Sequence, residues 1–314
     1  MDKRIVNLRV VAMLLIILAH YLRQYNLTAF LGQVFNIGVY IFICISAFLY
    51  SAKDIDNITE YIKKRVSRII IPYWIFLSIY FFISLSLKIK IIDIKTIIIY
   101  FCNLQAFSKR ILGTGHLWFL TIIVICYLIT ILLNRNKEIL VDRNKEILVT
   151  LVLFQIGCSY INAELGVYIF YISFYIIFYI FSLIKFKNIN FIILSCMALI
   201  GLMVRIGGKI ILDNTIIYEN IIVLYSQAIL AVYIFIVFTK KEYVLNIKLE
   251  RIVKFLDSIS YEIYLTHYIF IIGSFSVLKA TDSIIINILL GILMTIIFSI
   301  VIKIIEKFIY KYLS

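Results

Sequence analysis

The chain reads as long apolar blocks separated by short polar or charged stretches, and the blocks are too long to be strands. Ten of them, at 5–24, 33–52, 69–88, 116–134, 146–162, 165–184, 189–211, 216–238, 257–278 and 284–306, are of the length that crosses a bilayer as a helix. No series of segments alternates polar and apolar over about ten residues, as the strands of a membrane barrel do. The pattern predicts an all-α, polytopic membrane bundle of about ten transmembrane helices, forming a single membrane-embedded domain over 1–314. Two stretches depart from it. Residues 96–107, TIIIYFCNLQAF, are too short to span and end in polar residues, so they read as re-entrant or interfacial. RNKEILV occurs at 135–141 and again at 143–149, a tandem copy in a predicted loop that adds only charge and a turn of chain. The first block has the basic start and apolar middle of a signal peptide. It lacks a small-x-small cleavage site, and His20 and Arg23 interrupt its end, so it reads as a retained first helix.

Composition strengthens the membrane reading. Of the residues, 64% are hydrophobic and 15% charged, with a mean hydropathy of +1.06, whereas a soluble domain carries about 25% charged residues. The net charge of +14 raises nucleic acid as a partner, but the placement of the charge explains it better. With the N-terminus inside, 21 of the 31 Lys and Arg fall on the cytoplasmic side and nine on the other, while Arg9 lies within the first block. That asymmetry predicts both termini in the cytoplasm, a multi-pass protein of the cytoplasmic or inner membrane, and no nucleic-acid partner. The five cysteines are scattered through apolar blocks without a CxxC pair and read as small core residues.

The few ionisable residues in the blocks include Arg9, His20, His116, Arg205, Glu262 and His267. A charge at mid-bilayer costs at least about 2.5–3.5 kcal/mol, so such residues face a cavity or one another. All three histidines of the chain are among them. An interhelical hydrogen bond explains a lone membrane histidine well; three in blocks and none in loops favour function. Arg9 and His20 are eleven residues apart, roughly 16 Å along a helix and about 20° from three full turns, so they share a face.

Residues 63–74, KKRVSRIIIPYW, hold a basic cluster before the only proline, which suits the first turn of a helix. Either the cluster keeps this loop inside, or Arg65 and Arg68, three apart and on one helical face, clamp a phosphate beside Lys64. In GTGHLWFL, 113–120, the glycines allow close backbone approach next to His116, and Trp118 also fits an interfacial belt. Tyr261, Tyr264 and His267 follow at steps of three and share a face, with Glu262 a candidate partner for Arg205 or a histidine. A purely structural role suits Tyr261, Tyr264 and Glu262 as well. No HxxxH or HExxH spacing supports a metal site, so no metal is expected.

Taken in order, Arg9–x10–His20, FICISAFLYS at 42–51, KRVSRIIIPYW at 64–74, HLWFL at 116–120 and ISYEIYLTH at 259–267 resemble the membrane acyltransferase-3 family. The resemblance runs from residue 1 to about 306, although 135–250 carry it by hydropathy alone. It implies a membrane-bound O-acyltransferase that moves an acyl group, most commonly acetyl from acetyl-CoA, onto a hydroxyl of a cell-surface carbohydrate. Position by position, it implies that Arg9 and His20 are the essential pair of the first helix and that Arg65 and Arg68, with Lys64, bind the acyl-CoA donor on the cytoplasmic side. His20 would be general base or acyl acceptor, and His116 would orient the acceptor or the thioester oxygen. His267, Tyr261, Tyr264, Glu262 and Trp118 would support them. The expected acceptor is a glycan or lipid-linked glycan, as in capsule or exopolysaccharide biosynthesis, met at the membrane lipid. One departure is visible: Ala47 follows Ser46 where the family usually has glycine. Many relatives carry a further SGNH domain; with the chain ending at Ser314, a partner for any second half-reaction is expected to be separate or unnecessary. The alternative is a transporter of polysaccharide, lipid-linked sugar or small acids, which also needs a polar cavity. Against it, no repeat relates the two halves, and RxxR is poorly explained.

Overall fold

The computed structural model describes residues 2–25, 28–88, 93–108, 110–184, 190–240, 245–273 and 275–313. Among these there is no strand. The α-helices are α1 (Lys3–Leu22), α2 (Ala29–Val34), α3 (Gly38–Ser51), α4 (Ile58–Arg65), α5 (Ile71–Ser86), α6 (Ile94–Phe101) and α7 (Trp118–Arg135). They continue with α8 (Lys137–Asp142), α9 (Asn144–Ile161), α10 (Ala163–Leu183) and α11 (Phe191–Leu212). The last four are α12 (Val223–Lys240), α13 (Ile247–Ser258), α14 (Ser260–Ile271) and α15 (Ile284–Leu313). Wider π turns, closed by i→i−5 bonds, lead into α5 at Val66–Ile70 and into α12 at Tyr218–Ile222.

Among the described residues, eight helical segments are long and apolar enough to cross a membrane: 3–22, 29–51, 58–86, 115–135, 163–183, 191–212, 218–240 and 284–312. Two of the ten predicted blocks form helices without meeting that standard. Helix α9 has 18 residues but opens on Asn144, Lys145 and Glu146, which shorten its apolar run. Helix α14 has 12 residues, about 18 Å of rise against a hydrocarbon core of about 30 Å. The chain turns just beyond it, at Gly273, whose φ of 141° a side chain would not accept.

Other local departures have plain causes. The basic segment predicted as a loop folds as α4, because Asn57 caps it by accepting from the Glu60 N–H and its charges lie along an amphipathic helix. Neither copy of RNKEILV is a loop: the first forms α8 and the second opens α9, with breaks at Asn136 and Arg143. The short stretch at 96–107 is an eight-residue helix capped by Asp93, followed by a 3-10 turn at Gln105–Phe107. The predicted cytoplasmic charges at 185–187 and Lys241, and the predicted outer charges Lys90 and Lys109, lie outside the described residues.

The chain forms two compact units interleaved in sequence. The first comprises Met1–Ile16, Val34–Asp56 and Ile122–Leu245. There α10 packs against α3 and α9, and α12 against α3 and α11. Aromatic rings fill the centre: Tyr40 meets Tyr171 at 5.0 Å and Phe174 at 5.9 Å, and its hydroxyl donates to Gln227 Oε1 at 2.7 Å. The second unit comprises Ile17–Gln33, Asn57–Thr121 and Asn246–Ser314. Its frame is α5, α14 and α15, with α13 leading into α14. Lys303 of α15 bridges Glu262 of α14 at 2.9 Å and Glu306 at 2.8 Å, so the carboxylates at its core share one ammonium.

Candidate functional site

All three histidines belong to the second unit, and they meet. His20 lies near the end of α1, His116 in the 3-10 turn Gly115–Leu117, and His267 in the middle of α14. Ring centroids stand 5.3 Å apart for His20 and His267 and 4.9 Å apart for His116 and His267. Tyr264 closes one side, 5.2 Å from His116. Tyr268 closes another, 4.7 Å from His20 and 5.0 Å from His116. His116 and His267 are buried, and His20 is half-buried.

Two glycines allow the approach that brings His116 to α14. Gly113 has φ of 86°, and a Cβ there would stand 2.9 Å from the Ile272 carbonyl oxygen. On Gly273 a Cβ would stand 2.9 Å from Gly113 Cα. The two backbones touch where no side chain fits. The glycine-rich reading of 113–115 therefore acquires its partner, the end of α14.

Hydrogen bonds to the backbone fix two of the rings and their tautomers. His267 Nδ1 lies 2.8 Å from the Tyr264 carbonyl oxygen and 3.1 Å from that of Ile263. Carbonyl oxygens only accept, so Nδ1 carries a proton and donates it. By the same argument His116 Nε2 donates to the Leu265 carbonyl at 3.1 Å. The Tyr264 hydroxyl donates to the His116 carbonyl at 2.6 Å, tying the 3-10 turn to α14. What remains is the opposite nitrogen of each ring. His116 Nδ1 and His267 Nε2 are buried without a hydrogen-bond partner among the described residues. An unpaired buried polar atom typically costs about 1–3 kcal/mol. Two of them in adjacent rings mark a place where a ligand's polar group is expected. In a neutral imidazole each is the lone-pair nitrogen, able to take a proton or to act as nucleophile.

The other predicted residues divide. Tyr264 joins the cluster. Tyr261 instead donates its hydroxyl to the Ile69 carbonyl at 2.8 Å, in the π turn before α5. Glu262 pairs with Lys303 rather than with a histidine or Arg205, so the suggested partners are corrected to a lysine one helix away. Trp118 opens α7 half-buried beside Phe119, 6.0 Å between rings. Arg65 ends α4, half-buried 5.9 Å from the Tyr61 ring, and Lys64 next to it is paired with Glu60 at 2.5 Å. Arg68 is exposed within the π turn. The two arginines thus lie on either side of a change in helical pitch, and the shared face expected of a regular α-helix does not carry over. Arg9, half-buried on α1, belongs to the first unit.

Tyr268 was not singled out in the sequence. Its signal was present: Tyr264, His267 and Tyr268 stand at i, i+3 and i+4, one face of α14.

A family model described as an acyltransferase domain matches residues 2–304. Neither a curated protein nor a solved structure matches the chain.

Proposed function

The chain belongs to the acyltransferase-domain family and is an acyltransferase with a multi-pass membrane character; from that premise we propose that it is a cell-membrane O-acyltransferase. It takes an acyl group, most readily acetyl, from acyl-CoA presented on the cytoplasmic side and transfers it to a hydroxyl of an extracytoplasmic glycan or lipid-linked glycan. The observation that carries the proposal is the pair of orphaned imidazole nitrogens, His116 Nδ1 and His267 Nε2, in a buried cluster with His20. Transfer from a thioester to a hydroxyl needs one group to take the hydroxyl proton and return it to the departing sulfur. A C–O bond forms, the C–S bond breaks, and the proton ends on the thiol, so no other reactant is required. Histidine suits that task near neutral pH.

His267 has a firm hold on its tautomer and a lone pair to spare, which supports it as a base alongside His20. His116 Nδ1 would accept from the acceptor hydroxyl and orient it. Tyr264 and Tyr268 would wall the cluster and limit entry of water, which would otherwise compete with the sugar hydroxyl. Arg65 and Arg68, with Lys64, would bind the phosphates of the donor. In this reading both termini are cytoplasmic, as the predicted distribution of basic residues suggests.

The test is to analyse ester-linked acyl groups on surface polysaccharide from cells expressing wild type, His20→Ala or Arg68→Ala at equal membrane abundance. Acylation by the wild type, lost in both variants, is the expected result. Equal acylation with a changed amount of exported polysaccharide would replace transfer by transport.

A further inference from the structure

The π turn before α5 has a defect that only this chain's own residues explain. Its closing bond runs from the Ile71 N–H to the Val66 carbonyl, an i→i−5 step. The next bond in that register would run from residue 72 to the Ser67 carbonyl. Residue 72 is the only proline in the chain, and proline has no N–H to give. The Ser67 carbonyl is therefore left without a helical donor. The structure supplies one from 243 residues away: the Tyr310 hydroxyl, near the end of α15, donates to the Ser67 oxygen. Tyr261 of α14 donates to the Ile69 carbonyl two residues further on, so two helices hold the turn. In membrane helices a proline is tolerated where such a group fills the freed carbonyl. Isolated π turns recur at functional sites, and this one carries Arg68 and follows Arg65 directly. Tyr310 also lies beyond residue 304, where the family match ends.

We propose that Tyr310 is a positioning residue for the basic cluster. Its hydroxyl replaces the amide that Pro72 lacks, fixes the π turn, and so sets the separation of Arg65 and Arg68 for a ligand bearing more than one phosphate. The inference rests on the reading of those arginines as the donor's anion site.

The experiment measures the dissociation constant of coenzyme A for the purified full chain in detergent, together with thermal unfolding. Five proteins are compared: wild type, Arg68→Ala, Tyr310→Phe, Pro72→Ala, and Pro72→Ala with Tyr310→Phe. Arg68→Ala is expected to weaken binding by about tenfold or more, the loss of a charge-assisted bond. Tyr310→Phe is expected to weaken it by about three- to tenfold, the loss of one neutral hydrogen bond at a positioning site. In the Pro72→Ala background the same substitution is expected to cost under about twofold, because an amide at 72 now serves the Ser67 carbonyl. A tyrosine that merely held α15 in place would shift unfolding alike in both backgrounds and show no dependence on Pro72. If Arg68→Ala weakens binding and Tyr310→Phe does not, or does so equally in both backgrounds, the positioning role is overturned. If Arg68→Ala leaves the affinity unchanged, or the wild type does not bind coenzyme A, the donor reading fails and this inference falls with it.

Discussion

Each unit buries polar side chains in an apolar bundle, and one cluster from each shows the two ways they can be treated. In the first unit, the fully buried Gln155 of α9 shares its amide protons with Ser159 Oγ, the Asn220 carbonyl and the Gly166 carbonyl at 3.0, 3.2 and 3.4 Å. Its own oxygen accepts from the Tyr225 hydroxyl at 3.1 Å, and Asn220 donates onward to the Ala163 carbonyl at 2.6 Å. Each of these side chains has its partner. In the second unit, His116 and His267 are just as buried, but His116 Nδ1 and His267 Nε2 are left over. A satisfied network stabilises a bundle, whereas an unsatisfied one costs stability unless a ligand completes it. Buried orphans occur in the first unit as well, at the Tyr179 and Tyr218 hydroxyls, so what marks the histidine cluster is a pair of them in adjacent imidazole rings.

The contrast can be broken at its strongest point first. Gln155→Leu should strand the Tyr225 hydroxyl and remove the side-chain bonds to Ser159 and to the Asn220 and Gly166 carbonyls together. Membrane hydrogen bonds average about 0.6 kcal/mol and reach about 1.7, so a loss of about 2 kcal/mol is expected. Reversible unfolding in detergent should register it, while turnover per folded molecule stays at the wild-type value. Gly166→Ala should cost nearly as much, about 1–3 kcal/mol, by overpacking. A Cβ there would stand 2.2 Å from Ser159 Oγ and 2.5 Å from Ser159 Cα, so α9 and α10 must separate. Unchanged stability in that variant would show that the contact between these helices is looser than described. The smallest effect on stability is expected from His116→Gln, about 1 kcal/mol or less, because its backbone hydrogen bond can be kept. The Gln amide can reproduce the Nε2 donation to Leu265 but supplies no lone-pair nitrogen at Nδ1. Acyl transfer should still fall, and a variant both stable and fully active would move His116 out of the site.

Much of this was legible in the sequence, for reasons that also set the limits. Lipid forces backbone groups to pair within a segment, so apolar length alone finds α1, α10 and α15. It overestimates α14, because 257–278 reads as one long, mostly apolar block while the chain breaks at Ile272 and Gly273. The scarcity of ionisable residues in the blocks singles out all three histidines before any contact is known. Which ring nitrogen is taken is a different matter, since it depends on the carbonyls of Ile263, Tyr264 and Leu265 and so on tertiary geometry. The partner of Glu262 was hidden because Lys303 reads as one of the basic residues closing the chain. Pairing Tyr310 with Ser67 needs the π register, which no periodicity of apolar residues reports.

If a lone-pair nitrogen of the cluster carries the reaction, His267 offers the most direct measurement. Asparagine can place its amide where Nδ1 stands and keep the donation to the Ile263 and Tyr264 carbonyls, while Nε2 is lost. Acyl transfer to surface polysaccharide, measured at equal membrane abundance and equal unfolding temperature, should fall in His267→Asn by about 10²–10⁴-fold, the usual contribution of a general acid–base. Retention of wild-type transfer in that variant would contradict the account, leaving His267 as a helix-bracing residue and the orphaned nitrogen without a role.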